Sequence, residues 1–224
     1  MNDVLQIIPD GNRLVNGSLL IQKFEADPPG KLLLLHGRTP EVFRLSLHAV
    51  SHALLRGVSI ALVDGSNRFD LYFIAGFART ITSQRLVKKP VPPEQLLRQI
   101  FIARAFTCYQ MEATITERLP AFLKRKHATV AMIFGLLDTF YDEQAPLFQV
   151  NDSLQRIIVA LQRLKSENIS VLLASLDTKV ESKERNALFP KLATAMDNTI
   201  QLTEGDVTPR RIYEPQRRRD AEDE

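Results

Sequence analysis

The segment KLLLLHGRTPEVFR, residues 31–44, decides the fold class. Its first five residues include four leucines and show no polar alternation, which is typical of a strand buried on both faces of a parallel sheet. The turn HGRTP follows, and an amphipathic helical pattern then runs over residues 40–56 and is closed by Gly57. Thr39 is expected to cap this helix, with Pro40 at its first position. A strand that feeds a helix through a tight turn is the repeating unit of α/β folds.

The same unit recurs along the chain. Further apolar runs occupy residues 58–63, 128–137 and 170–176. Helical patterns cover residues 69–78, 93–98, 109–126 and 152–167. Pro120 is expected to kink or interrupt the third of these helices, and Asp152 or Ser153 to cap the fourth. The alternation predicts an α/β fold with a mostly parallel sheet, flanking helices and right-handed crossovers.

The two ends of the chain differ from this core, residues 31–213. Turn signals such as Asp10–Gly11 predict a small β-rich cap over residues 1–30. Residues 199–202 and 207–213 are predicted to add an antiparallel edge to the sheet. The charged residues 214–224 are predicted to form a disordered tail.

Composition excludes several classes of protein. With 45% hydrophobic and 25% charged residues among 224, the chain matches a globular domain and neither a fibrous nor a wholly disordered protein. The formal charge of +3 is too small to indicate nucleic-acid binding by itself. The single cysteine, Cys108, excludes a disulfide framework and a cysteine-based zinc site. No apolar run reaches the roughly 20 residues that a membrane span needs, so we expect a soluble cytoplasmic protein.

The turn after the first apolar run occupies the place of a phosphate-binding loop but lacks its chemistry. Such a loop has the pattern G-x-x-x-x-G-K-[ST], in which glycines expose backbone N–H groups and the lysine neutralises phosphate. Counted from Gly37, Val42 replaces the second glycine, Phe43 the lysine and Arg44 the hydroxyl residue. The pattern therefore favours a plain helix start. Weak nucleotide binding through Arg38 and Arg44 stays open.

The order of segments resembles RecA/RadA-type recombinase ATPase cores over residues 30–202. ALVDGSNRFD (61–70) is similar to the strand that ends in an acidic residue before a helix. IARAFTCYQ (102–110) is similar to the family's "ARAF…Q" segment. Residues 130–138 resemble the apolar strand that carries a magnesium-associated aspartate, and residues 169–177 the strand whose end senses nucleotide. The resemblance implies a RecA-like fold.

The resemblance also implies a degenerate nucleotide site. Asp138 matches the magnesium-associated aspartate, although an alternative register places Gly135 or Phe134 there. The family's catalytic glutamate falls at about Ser66, which cannot act as a base. Loss of lysine and glutamate together predicts a paralogue that does not turn over ATP and has no catalytic residue or required cofactor, with weak ATP or magnesium binding left open. The candidate nucleotide-binding residues are Gly37, Arg38, Thr39, Arg44 and Asp138.

Two basic stretches predict contact with single-stranded DNA. Residues 71–93 contain no acidic residue; Lys179, Lys183 and Arg185 follow the strand that resembles the nucleotide sensor, although Glu181 and Glu184 interleave with them and weaken the positive field. The candidate DNA-binding residues are Arg79, Arg85, Lys88, Lys89, Lys179, Lys183 and Arg185. A third basic run, residues 124–127, lies at a predicted helix C-terminus, where cations complement the helix dipole. Residues 138–152 are acidic and are unsuited to a polyanion.

Three functions remain open at this point. The chain is a DNA-binding accessory in recombination or repair, a scaffold that assembles with a RecA-like partner or a second copy, or an ATPase completed by a partner. His48 and His52 share a helix face, but without a further ligand they indicate helix packing or surface histidines rather than a zinc site. Cys108 is expected to be a small buried hydrophobe.

Overall fold

The computed structural model describes residues 29–84, 86–87, 89–142 and 144–202 as an α/β structure around a six-stranded, all-parallel sheet. The strands are β1 (Leu32–Gly37), β2 (Ile60–Asp64), β3 (Ile100–Arg104), β4 (Val130–Phe134), β5 (Ser170–Leu176) and β6 (Asn198–Leu202). Their spatial order is β3-β2-β4-β5-β1-β6. The predicted fold class is confirmed. The predicted cap lies almost entirely outside the described residues, and the predicted tail lies wholly outside them.

Helices cover both faces of the sheet. They are α1 (Glu41–Leu55), α2 (Leu71–Ser83), α3 (Pro93–Leu97), α4 (Cys108–Ala113), α5 (Leu119–Lys126), α6 (Leu147–Ser166), α7 (Lys183–Asn186) and α8 (Leu188–Thr194). In β1, Leu33 and Leu35 pack in the core under α1, α2 and α3, whereas Leu32 and Leu34 pack in the core under α4, α5, α6 and α8. Because successive side chains of a strand point to opposite faces, burial on both faces produces the unbroken apolar runs of the sequence.

The last strand corrects the prediction of an antiparallel edge. β6 pairs with β1 in parallel, with Leu202 opposite Gly37. The chain leaves β5, forms α7 and α8 on one face and returns to the edge at which the other strands begin, and such a crossover produces a parallel pair. Residues 207–213 lie outside the described residues.

Two further local predictions need correction. β3 was not predicted; it is an edge strand in which only Ile100 is buried, whereas Ile102 and Arg104 are exposed. α6 begins at Leu147 after Pro146, so Asp152 and Ser153 lie within the helix and do not cap it. The expected interruption at Pro120 is confirmed, since a π-helical turn (Thr114–Arg118) separates α4 from α5 just before it.

Candidate functional site

The topology selects one edge of the sheet as the candidate site. Ligands of open α/β sheets bind at the carboxyl ends of strands, where neighbouring strands send their next helices to opposite faces. β1 is followed by α1 on one face, while its neighbour β5 is followed by α8 on the other. β2 and β4 form a second such pair, through α2 and α6. We call this row of strand ends, from His36 on β1 to Asp64 on β2, the carboxyl edge.

A histidine–aspartate pair joins the ends of β1 and β5. Nδ1 of His36 lies 2.6 Å from Oδ1 of Asp177, and the imidazole is largely buried. The ring of Phe189 meets the imidazole edge-on with centroids 4.9 Å apart, and the amide of Gln201 donates to Asp177 at 3.4 Å. A carboxylate that accepts from Nδ1–H leaves Nε2 as the nitrogen that can accept a proton or a hydrogen bond.

The position of the phosphate-loop lysine is filled by a buried ring. Phe43 is 2% exposed and packs edge-on against Phe134, with centroids 5.1 Å apart. The guanidinium of Arg68 lies over the Phe43 ring, 5.8 Å from its centroid. Val42, in place of the second glycine, is also fully buried. Phe43 and Val42 belong to the core below α1, so neither offers a charge to a phosphate.

The predicted nucleotide-binding residues of this turn have structural partners. A Cβ on Gly37 would lie 2.8 Å from the carbonyl oxygen of Leu202, so close packing against β6 requires glycine there. α1 is capped by Pro40 without a side-chain hydrogen bond, so the predicted Thr39 cap is wrong. Arg38 is exposed on the turn, and Arg44 forms an exposed ion pair with Glu41 at 3.2 Å.

Asp64, at the end of β2, organises the loop that follows it. Its buried carboxylate accepts backbone N–H groups from Ser66 at 3.2 Å, Arg68 at 3.1 Å and Phe69 at 3.1 Å. Asn67 within this loop has a left-handed backbone, with φ of 54°. The acidic residue that the sequence places before a helix therefore holds a tight turn, and its oxygens are occupied.

Asp138 lies beside this loop. It belongs to a short 3-10 turn, Leu137–Thr139. Gly135, which follows β4 directly, lies two residues before this turn and has φ of +57°. A Cβ on Gly135 would lie 2.3 Å from Cβ of Ser66 and 2.6 Å from Oδ2 of Asp138. Burial raises the pKa of Asp138, the Arg68 guanidinium lowers it, and the carboxylate of Asp64 raises it again.

Tyr141 is influenced by two carboxylates of the carboxyl edge, Asp138 after β4 and Asp177 after β5. Burial, followed by the negative charges of Asp138 and Asp177, raises the pKa of Tyr141 to about 12. Both carboxylates therefore lie within electrostatic range of one phenol, which remains a neutral hydrogen-bond donor at ordinary pH. No cluster of three or more histidine, cysteine, aspartate or glutamate residues able to hold a metal ion occurs in the described part of the chain.

The predicted DNA-binding residues separate into two groups. Arg79 on α2 and Lys89 before α3 are exposed on the face that α1 covers. Lys179 and Lys183 are exposed on the segment after β5. Arg85 and Lys88 lie outside the described residues.

Arg185 does not belong with these surface cations. Its side chain is buried, and its guanidinium donates to the carbonyl oxygens of Phe140 at 2.7 Å and Ala145 at 2.5 Å. The guanidinium thus holds α7 against the loop before α6. Because it is buried in this contact, Arg185 is unavailable to DNA.

The other sequence candidates are packing residues. The rings of His48 and His52 lie 4.9 Å apart, and both contact Phe77 of α2. Burial and the neighbouring His52 lower the pKa of His48 to about 4. Cys108 is buried, and burial raises the pKa of its thiol. Neither position offers an activated nucleophile.

Sequence reasoning did not single out His36, Asp177, Tyr141 or Arg68. His36 and Asp177 are 141 positions apart and form no local motif. Each follows a strand that the sequence does predict. Polar residues at predicted strand ends are therefore the signal that could have found the pair.

Comparison with known proteins adds no relative. No protein-family model matches the chain, and no curated protein matches it significantly. No helix in the described residues is long and apolar enough to cross a membrane.

Proposed function

We propose that the protein is a RecA/RadA-like recombinase paralogue that lacks a working ATPase site and acts as a DNA-binding accessory or scaffold in recombination or repair. The burial of Phe43 and Val42, at the positions of the phosphate-loop lysine and glycine, carries the ATPase part of this proposal. The parallel α/β sheet is the architecture that the resemblance implies.

The loss of ATP turnover follows from charge and geometry. Phosphoryl transfer needs cations against the phosphate oxygens and a group that orients the attacking water. At the carboxyl edge the lysine position is apolar, the predicted glutamate position is Ser66, and Asp64 and Asp138 add negative charge beside it. The exposed Arg68 guanidinium lies over the Phe43 ring, but these two carboxylates oppose the attraction that the family supplies through its lysine.

Surface cations support the DNA-binding part. Arg79, Lys89, Lys179 and Lys183 are exposed and are available for phosphate contacts. On single strands, affinity falls with salt by a logarithmic slope of about 0.7 for each phosphate neutralised. Four contacts would weaken binding about 50-fold between about 50 mM and 200 mM salt, and two contacts about sevenfold.

The test of DNA binding is fluorescence anisotropy of a labelled single-stranded oligonucleotide at these two salt concentrations. The double variant Arg79→Gln/Lys89→Gln is expected to bind more weakly and to show about half the salt slope. The matched control is Lys124→Gln/Arg163→Gln, which removes two exposed cations on α5 and α6, on the face of the sheet opposite α2, and is expected to leave binding unchanged. Equal effects of both pairs, or no binding at low salt, would reject DNA binding through this surface.

The ATPase part is tested separately by phosphate release from magnesium ATP. We expect no release above buffer with or without single-stranded DNA. Turnover that Arg44→Ala abolishes would overturn the proposal, because the turn after β1 would then be a working phosphate site.

An assembly scaffold is the second candidate, and the edge of the sheet favours it. Within the described residues no strand pairs with the outer side of β3, and Ile102 is 45% exposed on that strand. Free strand edges are the usual place for pairing with another chain. If sedimentation detects a salt-tolerant oligomer that Ile102→Lys dissociates, and DNA binding is absent, the scaffold function is preferred.

A further inference from the structure

A cavity lies beside the carboxyl edge and belongs to none of the functions above. It encloses about 270 Å³ between the N-terminus of α4 and the loop before α6. Tyr109, Thr107 and Cys108 line it from α4, and Asp142 and Gln144 line it from the loop. The backbone N–H of Gln144 donates to Oδ1 of Asp142 at 3.0 Å, which fixes the carboxylate at the cavity. We call this space the Tyr109 cavity.

Tyr109 is an exposed aromatic residue that lines the cavity, and two further exposed rings adjoin in sequence a lining residue or the hydrogen-bond partner of Tyr109. Phe106 is 71% exposed, Tyr109 47% and Phe148 66%. Phe106 and Tyr109 are held at the start of α4, where the side chain of Gln110 accepts the N–H of Phe106. The hydroxyl of Tyr109 donates to the side chain of Gln149, the neighbour of Phe148 on α6. The two segments that carry these three exposed rings are joined by the Tyr109–Gln149 hydrogen bond, which is more apolar exposure than isolated surface residues explain.

The charge around the cavity favours a cationic occupant. No lysine or arginine occurs in the sequence between Lys126 and Arg156. Arg156 itself is paired with Glu112, and Arg185 behind the cavity donates to two backbone carbonyls. Asp142 and Tyr109 thus bring a carboxylate and an aromatic ring to one cavity, and these are the two groups that suit a guanidinium through a charge-assisted hydrogen bond and cation–π attraction.

We propose that the Tyr109 cavity binds arginine side chains from this chain's own residues 209–219, PRRIYEPQRRR, which we call the arginine segment. It contains five arginines and one glutamate and lies outside the described residues. The described chain stops at Leu202, which pairs with Gly37 at the carboxyl edge, the same edge as the cavity.

The length of chain is sufficient for this contact. The loops that form the cavity follow β3 and β4, which lie three to five strand positions from β6. That separation is about 14–24 Å across the sheet. The eight residues from Leu202 to Arg210 span up to about 26–29 Å when extended, and Arg217 reaches farther.

The experiment compares the full-length protein with a variant in which the five arginines of the segment are glutamine. In ¹H–¹⁵N spectra, the amides of residues 107–109 and 139–145 are expected to differ between the two proteins. A synthetic 209–219 peptide, titrated into the glutamine variant, should shift those amides back and saturate. The same peptide with glutamine in place of arginine should shift none of them.

Substitutions in the cavity then test the occupant's chemistry. Asp142→Asn in the glutamine variant is expected to weaken peptide binding about tenfold, and Tyr109→Leu severalfold. Asp152→Asn removes an exposed carboxylate on α6 and serves as the matched control, with unchanged affinity expected. Thermal unfolding of each variant checks that it is folded.

Three outcomes would overturn the proposal. The peptide causes no saturable shift at these amides, Asp142→Asn binds it as tightly as the parent, or the arginine-free peptide binds equally well. Shifts in the unmodified protein that grow with protein concentration would overturn the intramolecular contact and assign the arginine segment to a second copy.

Discussion

Replacement of Phe43 by lysine tests whether the turn after β1 is a phosphate loop or a helix start above a packed core. The substitution restores the residue type that a phosphate loop requires at this position. If the turn were such a loop, the ammonium would point toward ligand and solvent. The structure instead places the side chain 2% exposed against Phe134 and below Arg68.

The expected loss of stability is large. Removal of a buried aromatic ring costs about 3–5 kcal/mol, of which the lysine stem recovers part. An unpaired buried ammonium costs several kcal/mol more. Arg68, whose guanidinium lies 5.8 Å from the present ring centroid, adds repulsion of about 1–3 kcal/mol at effective dielectric constants of about 20–80. A total above about 4 kcal/mol is a large part of the 5–15 kcal/mol that is typical of a domain.

The assay is equilibrium urea unfolding at pH 7, followed by circular dichroism, with Phe43→Leu as the control. Leucine keeps the site apolar and is expected to cost less than about 1.5 kcal/mol. The reasoning is refuted if Phe43→Lys is within about 1 kcal/mol of Phe43→Leu, and more strongly if it gains magnesium ATP binding.

Three further substitutions test other parts of the structure, with urea unfolding as the common measurement. Gly135→Ala is expected to cost about 2–4 kcal/mol because it combines a positive φ with atoms less than 3 Å from the added Cβ. Its control, Gly57→Ala, has a positive φ but nothing within 4 Å and should cost only about 1–2 kcal/mol. Equal costs would show that crowding at Gly135 contributes nothing. Arg185→Met should cost about 2–4 kcal/mol because two buried carbonyls lose their donor, whereas the exposed Lys183→Met should change stability by less than about 0.5 kcal/mol. Because the folded pKa of His48 is lowered to about 4, the unfolded chain binds a proton between pH 6.5 and 4 that the folded chain does not bind. The free energy of unfolding should therefore fall by about 1–2 kcal/mol as the pH is lowered through this window, a value already reduced for the partial exposure of the ring. His48→Gln should flatten that dependence.

The elements that the sequence predicted correctly are those whose burial is uniform along the chain. β1, β2, β4 and β5 lie in the interior of the sheet, so their apolar runs are visible without knowledge of their neighbours. β3 is an edge strand in which only Ile100 is buried, so it lacks the burial on both faces that marks the interior strands. The direction of β6 depends on the crossover through α7 and α8, which a short run of residues does not encode.

The candidate site likewise has some features that the sequence reveals and others that only the tertiary structure reveals. The absence of a phosphate-loop lysine is visible in the sequence, because Gly37 and Phe43 stand at a countable spacing. That Phe43 is buried follows from the helical periodicity of α1 and from the core that α1 covers. The sequence could not show that Arg185 is buried, because its partners Phe140 and Ala145 are brought to it from another loop.

By itself, the sequence determined the α/β class, the alternation of strands and helices and the absence of a lysine at the spacing that a phosphate-binding loop requires. These properties depend on residue type and local period, which follow from backbone geometry over a few residues. Only the tertiary structure decided the strand order, the contact of His36 with Asp177 across 141 positions and the meeting of Tyr109 with Asp142 at one cavity. Those features arise where loops close between distant segments, and the packing of whole helices against the sheet selects which residues meet.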